Sequence, residues 1–265
     1  MAKRAVLIGI NYKGTNAELQ GCITDTRNIK AMLIAQLGFK DANITVLTDE
    51  TPVKPTHANI LQTLCNEVMY TQRHVVRELI ITFSGHGSYV SDYNADEADG
   101  KDEVLCPLDY ATAGYIRDDE LHGILNRVQP ETRVVWLADQ CHSGTSLDLR
   151  YRYIGGKKFV TENANCQVKA NVICLSGCRD DQYSSDAWGL NNAKEFSGAM
   201  TSSFLHSMAY LNYHVTCYAL LGTMRDYLKE HNFQQLPQLT CNRQLNHCSI
   251  FAQKEEEVPF LTCSK

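Results

Sequence analysis

The sequence predicts an α/β domain: a mainly parallel sheet of about six or more strands with helices on both faces. Three observations predict it. Short apolar runs alternate with amphipathic stretches along the chain. The runs have the length of buried strands, and the stretches between them are long enough for crossover helices. Two of the runs end in glycine-flanked turns carrying a histidine and a cysteine, and the carboxyl ends of strands are where open α/β sheets bind ligands.

Each element has its own signal. Residues 5–10 form an apolar first strand. Residues 25–37 place Ile29, Met32, Leu33 and Leu37 on one helical stripe, stopped by Gly38. Residues 44–47 are a short second strand, and 56–69 a helix with Ile60, Leu61, Leu64 and Met69 on one side. Residues 79–83 are the third strand. The polar, Asp- and Gly-rich stretch 88–101 is expected to be a loop. A helix is expected over 118–128 (Leu121, Ile124, Leu125, Val128) and a fourth strand over 134–138. Residues 146–170 are polar, with Gly155-Gly156, and are expected to be a surface linker. A fifth strand (172–175), helices at 204–211 and 218–228, and a last strand near 237–241 complete the pattern. One domain over 1–265 follows, with a front part (1–148), a linker (149–170) and a back part (171–265) sharing one sheet. The tail from Lys254, with Glu255-Glu256-Glu257, is expected to fray.

Composition narrows the function. Of 265 residues, 44% are hydrophobic and 21% charged, enough for a sizeable core. A formal net charge of -5 without a dense basic tract argues against nucleic acid. No segment approaches the ~20 apolar residues that span a bilayer, and the apolar run at the start is shorter than a signal peptide's. A cytoplasmic protein without a membrane partner is expected. The 11 cysteines are scattered rather than framed as in a small secreted domain, so mostly free, core-filling thiols are expected. Cys174 and Cys178 lack a second ligand pair for zinc.

The chemistry lies in Ser84-Gly85-His86-Gly87, after the third strand, and Asp139-Gln140-Cys141-His142-Ser143-Gly144, after the fourth. A thiol attacks carbonyl carbon as thiolate, and a nearby imidazole can take its proton and later protonate a leaving amine. His86 is therefore the expected base and acid, and Cys141 the nucleophile. Backbone N–H groups of Gly87 and Cys141 are the expected oxyanion donors. His142 is the weaker choice of base, because adjacent residues on a turn point apart.

In these and other stretches the chain resembles the metacaspases, caspase-like cysteine peptidases. The matching residues are Gly9-Ile10-Asn11-Tyr12 with Leu19-Gln20-Gly21-Cys22-Ile23-Thr24-Asp25, the His86 and Cys141 turns, and Asp102-Glu103 through Pro107-Leu108-Asp109. Ile116-Arg117-Asp118-Asp119-Glu120-Leu121, Leu175-Ser176-Gly177-Cys178-Arg179-Asp180-Asp181-Gln182 and Gly198-Ala199-Met200-Thr201 match as well. Gln140 stands where the family usually has Cys or Ser, the linker after Cys141 is short, and a form without the Pro-rich extension of some relatives is expected. The resemblance implies a caspase-like fold and a monomer that cleaves proteins or peptides after Arg or Lys.

The resemblance assigns the basic-residue pocket to Asp25 and Asp139, with Ser84 lining it. Paired carboxylates suit a guanidinium through charge-assisted bonds; a plain helix cap is the alternative for Asp25. The spacing of Asp92, Asn94, Asp96 and Glu103 is like an EF-hand loop, but Glu97 occupies the glycine position and no helix leads in. The resemblance instead implies calcium on Asp102, Asp118, Asp119 and Asp148; the alternative is a solvated acidic face. Asp148 lies seven residues beyond Cys141, so a bound ion is expected to order the catalytic loop. Arg150, Arg152, Lys157 and Lys158 make self-cleavage in the linker an expectation, with a solvated basic loop as the alternative. Two competing functions remain: a non-proteolytic scaffold that keeps the fold, and a hydrolase preferring acidic residues.

Overall fold

The computed structural model describes residues 2–91, 101–140, 147–177, 186–188, 196–245 and 249–251. The front part runs β1 (Ala2–Gly9), α1 (Cys22–Ala35), β2 (Ile44–Thr48), α2 (His57–Arg73) and β3 (Val76–Ser84). It continues with β4 (Gly87–Ser91), β5 (Lys101–Leu105), α3 (Tyr110–Ala113), β6 (Ile116–Arg117), α4 (Asp118–Leu125) and β7 (Arg133–Asp139). Then follow β8 (Tyr151–Gly155), β9 (Lys158–Thr161), β10 (Asn171–Ser176), β11 (Asp186–Trp188), β12 (Phe196–Gly198), α5 (Ala199–Tyr210), α6 (Cys217–Glu230) and β13 (Gln238–Cys241).

The main sheet has eight strands in the order β2-β1-β3-β7-β10-β13-β8-β9. The first five are parallel, and β13, β8 and β9 extend the sheet antiparallel. The chain turns one way from β1 to β2 and the other way to β3. The strand order therefore reverses between β1 and β3, the position where such sheets open a crevice at their carboxyl ends.

Side-chain alternation splits the core in two. On one face Val6, Ile8, Leu79, Ile81, Phe83, Val134, Trp136, Val172 and Cys174 meet Ile60, Leu64 and Val68 of α2 and Leu121, Ile124 and Leu125 of α4. On the other, Ala5, Leu7, Ile80, Val135, Leu137, Ile173 and Leu175 meet α1, α5 and α6 through Leu33, Phe204, Met208 and Leu220. Strands covered on both faces explain the continuous apolar runs in the sequence. Six of the seven described cysteines fill space as expected: Cys22, Cys106, Cys166, Cys174, Cys217 and Cys241 are buried thiols outside any disulfide, and Cys65 is half-buried.

Two stretches depart from the expected loops. Residues 88–91 lie in β4 and 101 in β5, which pair antiparallel, with β6 as a third strand. Their Asp- and Gly-rich composition hid a short sheet whose buried Leu105 and Ile116 pack toward α4. Residues 151–161, expected within a surface linker, form a hairpin on the sheet edge. Gly155 pairs with Lys158, so Gly156-Lys157 is a two-residue turn, with Gly156 at φ +53°. Aromatic rings join the hairpin's two strands, with Phe159 5.1 Å from Tyr151 and 5.5 Å from Tyr153, and Tyr153 lies 5.3 Å from Tyr218 of α6, ring to ring. The tail from Lys254 lies outside the described residues.

The seam between β1 and α1 is tight. A Cβ on Gly9 would sit 2.2 Å from the Thr26 hydroxyl and 2.3 Å from the Cys22 carbonyl oxygen. Only glycine lets α1, the helix carrying Asp25, lie this close to the sheet. Gly9→Ala is expected to cost about 1–3 kcal/mol through overpacking, read as a lower urea midpoint at unchanged m-value.

Candidate active site

Three strands end side by side, and their last residues build the site. β3 and β7 pair in register from Glu78 with Arg133 to Ser84 with Asp139, and the Gly85 N–H donates to the Asp139 carbonyl at 3.3 Å. β1 flanks β3, with Gly9 opposite Ser84. The segments after β1 and β3 carry Tyr12 and His86. Cys141 and His142 lie outside the described residues. His86 begins its turn two residues after Ser84, as Cys141 does after Asp139.

His86 is half-buried, and its Nε2 lies 2.8 Å from the Ala17 carbonyl oxygen. A carbonyl only accepts, so Nε2 carries the proton and Nδ1 is the basic nitrogen. Among the described residues a main-chain oxygen, not a side chain, orients the ring, which no residue type in the sequence could signal. Gly87 opens β4, opposite Leu105.

Ser84 and Asp139 are cross-strand partners, so their side chains point to the same face, the one covered by α1 and α5. Asp25 is not a helix cap, the alternative reading of its place in the sequence. The N-cap position of α1 is Gly21, and Asp25 lies within the first turn. Its carboxylate accepts from the Ser84 hydroxyl at 2.7 Å and from the Gly198 N–H at 3.0 and 3.1 Å. The Asp139 carboxylate accepts from the Thr201 N–H at 2.8 Å. Asp25 is 1% and Asp139 5% exposed.

Gly198 joins the two acids. A Cβ there would lie 2.1 Å from Asp139 Oδ2 and 2.9 Å from Asp25 Oδ2, so both carboxylates converge on one point. Gly198 is also the N-cap of α5 and has no side chain to satisfy the helix's first N–H groups. Asp139 supplies that acceptor from β7, and the positive end of the helix favours both charges. Beneath them a small cavity is lined by Asp25, Thr82 and Ser84 on its polar side and by Ile29, Leu137 and Phe204 on its apolar side. Asp25, Ser84 and Asp139, expected together from the resemblance, are thus brought together. Gly198 and the Ala17 carbonyl are the parts that had no assigned role.

The expected metal ligands are more dispersed. Asp102 lies on β5, opposite Val90. Asp118 and Asp119 open α4. Asp118 is 2% exposed and accepts from the Glu103 and Asp119 N–H groups at 2.8 and 2.9 Å. Burial, and then the neighbouring Glu103 carboxylate, push the Asp118 carboxyl up to about 9. Asp148 is buried, with φ +48°, and the Leu147 carbonyl before it meets His122 Nδ1 on α4 at 3.1 Å. Among the described residues no group of three or more His, Cys, Asp or Glu side chains is arranged to hold a metal. The donor chemistry does fit a hard cation: burial and the Glu103 carboxylate oppose ionisation of Asp118, and a dication would offset both.

Comparison with known proteins agrees with this architecture. At the level of fold, the chain is similar to caspase-1 from Spodoptera frugiperda, with a TM-score of 0.59 at 12% identity over 90% of this chain and 85% of the other. It is also similar to a Geobacter sulfurreducens protein, with a TM-score of 0.64 at 24% identity over 91% and 93% of the two chains. The fold is therefore caspase-like. Residues 3–150 match the model of the metacaspase, peptidase C14 domain. Metacaspase-1 of Eremothecium gossypii is 36% identical over 92% of this chain, and that of Cryptococcus neoformans 35% identical over 94%. The chain belongs to the metacaspase family. It spans about 65% of the length of these relatives. Among the described residues no helix is long and apolar enough to cross a membrane.

Asp139→Ala is expected to lower stability by about 1–2 kcal/mol, because it removes the acceptor at the start of α5. Asp139→Asn, which keeps an acceptor, should recover most of the loss in the same urea titration.

Proposed function

We propose that this chain is a cysteine endopeptidase that cleaves after Arg or Lys. The observation that carries the proposal is the register of β3 on β7. The residues two past its last pair are a histidine and a cysteine, so the two turns start side by side at the carboxyl edge of the sheet.

In this reading the Cys141 thiolate attacks the scissile carbonyl carbon, and the N–H groups of Gly87 and Cys141 hold the resulting oxyanion. His86, having taken the thiol proton at Nδ1, delivers it to the leaving amine as the C–N bond breaks. Water then attacks the thioester, His86 receives its proton, and the carboxylic acid and free thiol are restored. Ala17 keeps the Nε2 proton in place throughout.

The specificity proposed rests on Asp25, Asp139 and Ser84. Two carboxylates converging on one point match the charge of a guanidinium or ammonium, and a planar guanidinium can bond both. An acidic side chain at the cleaved position would meet like charge, which disfavours the rival acidic preference. A scaffold without activity is the other rival, and retention of both His86 and Cys141 favours the enzyme.

Asp102, Asp118, Asp119 and Asp148 are the residues assigned to calcium. Its positive charge, when bound, would neutralise carboxylates that otherwise repel one another. Asp118 ties its own helix to β5 through Glu103, and Asp148 follows the catalytic turn by seven residues. Cation binding at these residues would therefore act on the position of that turn.

For self-cleavage, Lys157 and Lys158 at the hairpin turn are the accessible choices. Arg152 sits within β8, between β13 and β9, and pairs with Glu162.

Two measurements test this reading. A peptide with Arg at the cleaved position should be hydrolysed, its Asp counterpart not, and Cys141→Ala should lose more than about 1,000-fold in kcat, as loss of a nucleophile does; equal cleavage by Cys141→Ala would end the mechanism. Calcium should raise Tm and support cleavage, excess chelator should reverse both, and Asp118→Asn should remove the calcium-dependent rise in Tm. Cleavage that persists in chelator counts against the calcium assignment.

A further inference from the structure

Tyr12 is buried to 1% exposure directly beneath the His86 turn, and the mechanism above leaves it without a task. Its hydroxyl donates to the Cys106 carbonyl at 2.5 Å and accepts the His86 backbone N–H at 3.0 Å. The Cys106 N–H in turn donates to the His86 carbonyl at 3.0 Å. A phenol has one proton, so these directions are the only consistent ones. The Tyr12 ring also lies 4.8 Å from the imidazole, centroid to centroid, tilted by 38°.

The backbone is bent to allow this. Tyr12 has φ +50°, a conformation that residues other than glycine adopt at some cost and that tends to mark functional sites. The strap around it holds the bend. Thr15 donates to the Tyr12 carbonyl through its N–H and its hydroxyl, at 3.2 and 2.8 Å. Asp49 accepts from the Asn11 and Lys13 N–H groups at 2.7 and 3.1 Å. The Leu19 N–H closes the strap on the Asn11 carbonyl at 2.8 Å. The same strap brings Ala17 to His86 Nε2, so one short segment touches the histidine at its backbone, its face and its edge.

We propose that Tyr12 is a positioning residue for His86. Its hydroxyl fixes the backbone of the turn and its ring fixes the imidazole plane, so that Nε2 stays on Ala17 and Nδ1 keeps one orientation. The role in turnover rests on the peptidase reading; the role in holding the ring does not. Burial pushes the phenol well above its ordinary pKa, so the hydroxyl remains a donor across the neutral range.

The test is Tyr12→Phe in the full chain, which keeps the ring and removes the hydroxyl. On an Arg peptide, kcat should fall about 10- to 100-fold with KM within about twofold, the pattern of a misplaced catalytic group rather than lost binding. In 15N spectra of the imidazole, the wild-type His86 should be held as the Nε2–H tautomer, and the variant should populate both tautomers. An unchanged tautomer overturns the proposal, whether kcat is unchanged or falls together with a rise in KM. If the wild type cleaves nothing, or Cys141→Ala cleaves as well as the wild type, the peptidase reading fails, and the imidazole spectrum still decides Tyr12. Should Tyr12→Phe not fold, Gly85→Ala serves instead. Its Cβ would lie 3.0 Å from the Tyr12 hydroxyl and 3.1 Å from the Phe83 ring, so the hydroxyl must shift and the same tautomer change is expected.

Discussion

The in-register pairing of β3 with β7 is the constraint on which the rest depends. It sets Ser84 opposite Asp139 and makes their side chains share a face. A slip of one residue would turn one of them to the α2 and α4 side and separate the two turns. The pairing is held because every strand involved is apolar on both faces, so any shift would misplace core side chains in both layers at once.

The acidic pocket follows from that pairing. Asp139 arrives from β7 and Asp25 from α1, and both meet the start of α5 at Gly198. Buried carboxylates are costly unless bonded, and here backbone N–H groups and the Ser84 hydroxyl bear that cost. The same contacts serve two ends: they start α5 and they keep two negative charges close together. A pocket built this way needs no separate scaffold, because the helix cap and the proposed recognition site are the same atoms.

Legibility in the sequence was uneven for a physical reason. Strands buried on both faces and helices with an apolar stripe write their periodicity into the chain, so β1, β3, β7, β10, α2 and α6 could be read to within a few residues. Strands 88–91 and 101–105 could not, because their composition is that of a loop and only Val104 and Leu105 betray burial. The β8–β9 hairpin was hidden in the same way; its aromatic contacts join residues that look isolated in a polar stretch. At the site, His86 was found from its glycine-flanked turn after an apolar strand, and Asp25, Ser84 and Asp139 through motif resemblance. Tyr12 lay within a quoted motif without a task, and the Ala17 carbonyl could not be seen at all, since a backbone oxygen has no letter.

The sequence alone determined the kinds of groups available: one histidine turn and one cysteine turn after apolar strands, and thiols for a packed interior. Those follow from local composition and period, which need no partner to be legible. Tertiary structure alone decided which groups meet. The convergence of Asp25 and Asp139 on Gly198, the Tyr12 hydroxyl beneath His86, and the acceptor that orients its ring all join residues far apart in the chain. Such contacts are selected by packing and hydrogen-bond satisfaction across the fold, and no local pattern records them.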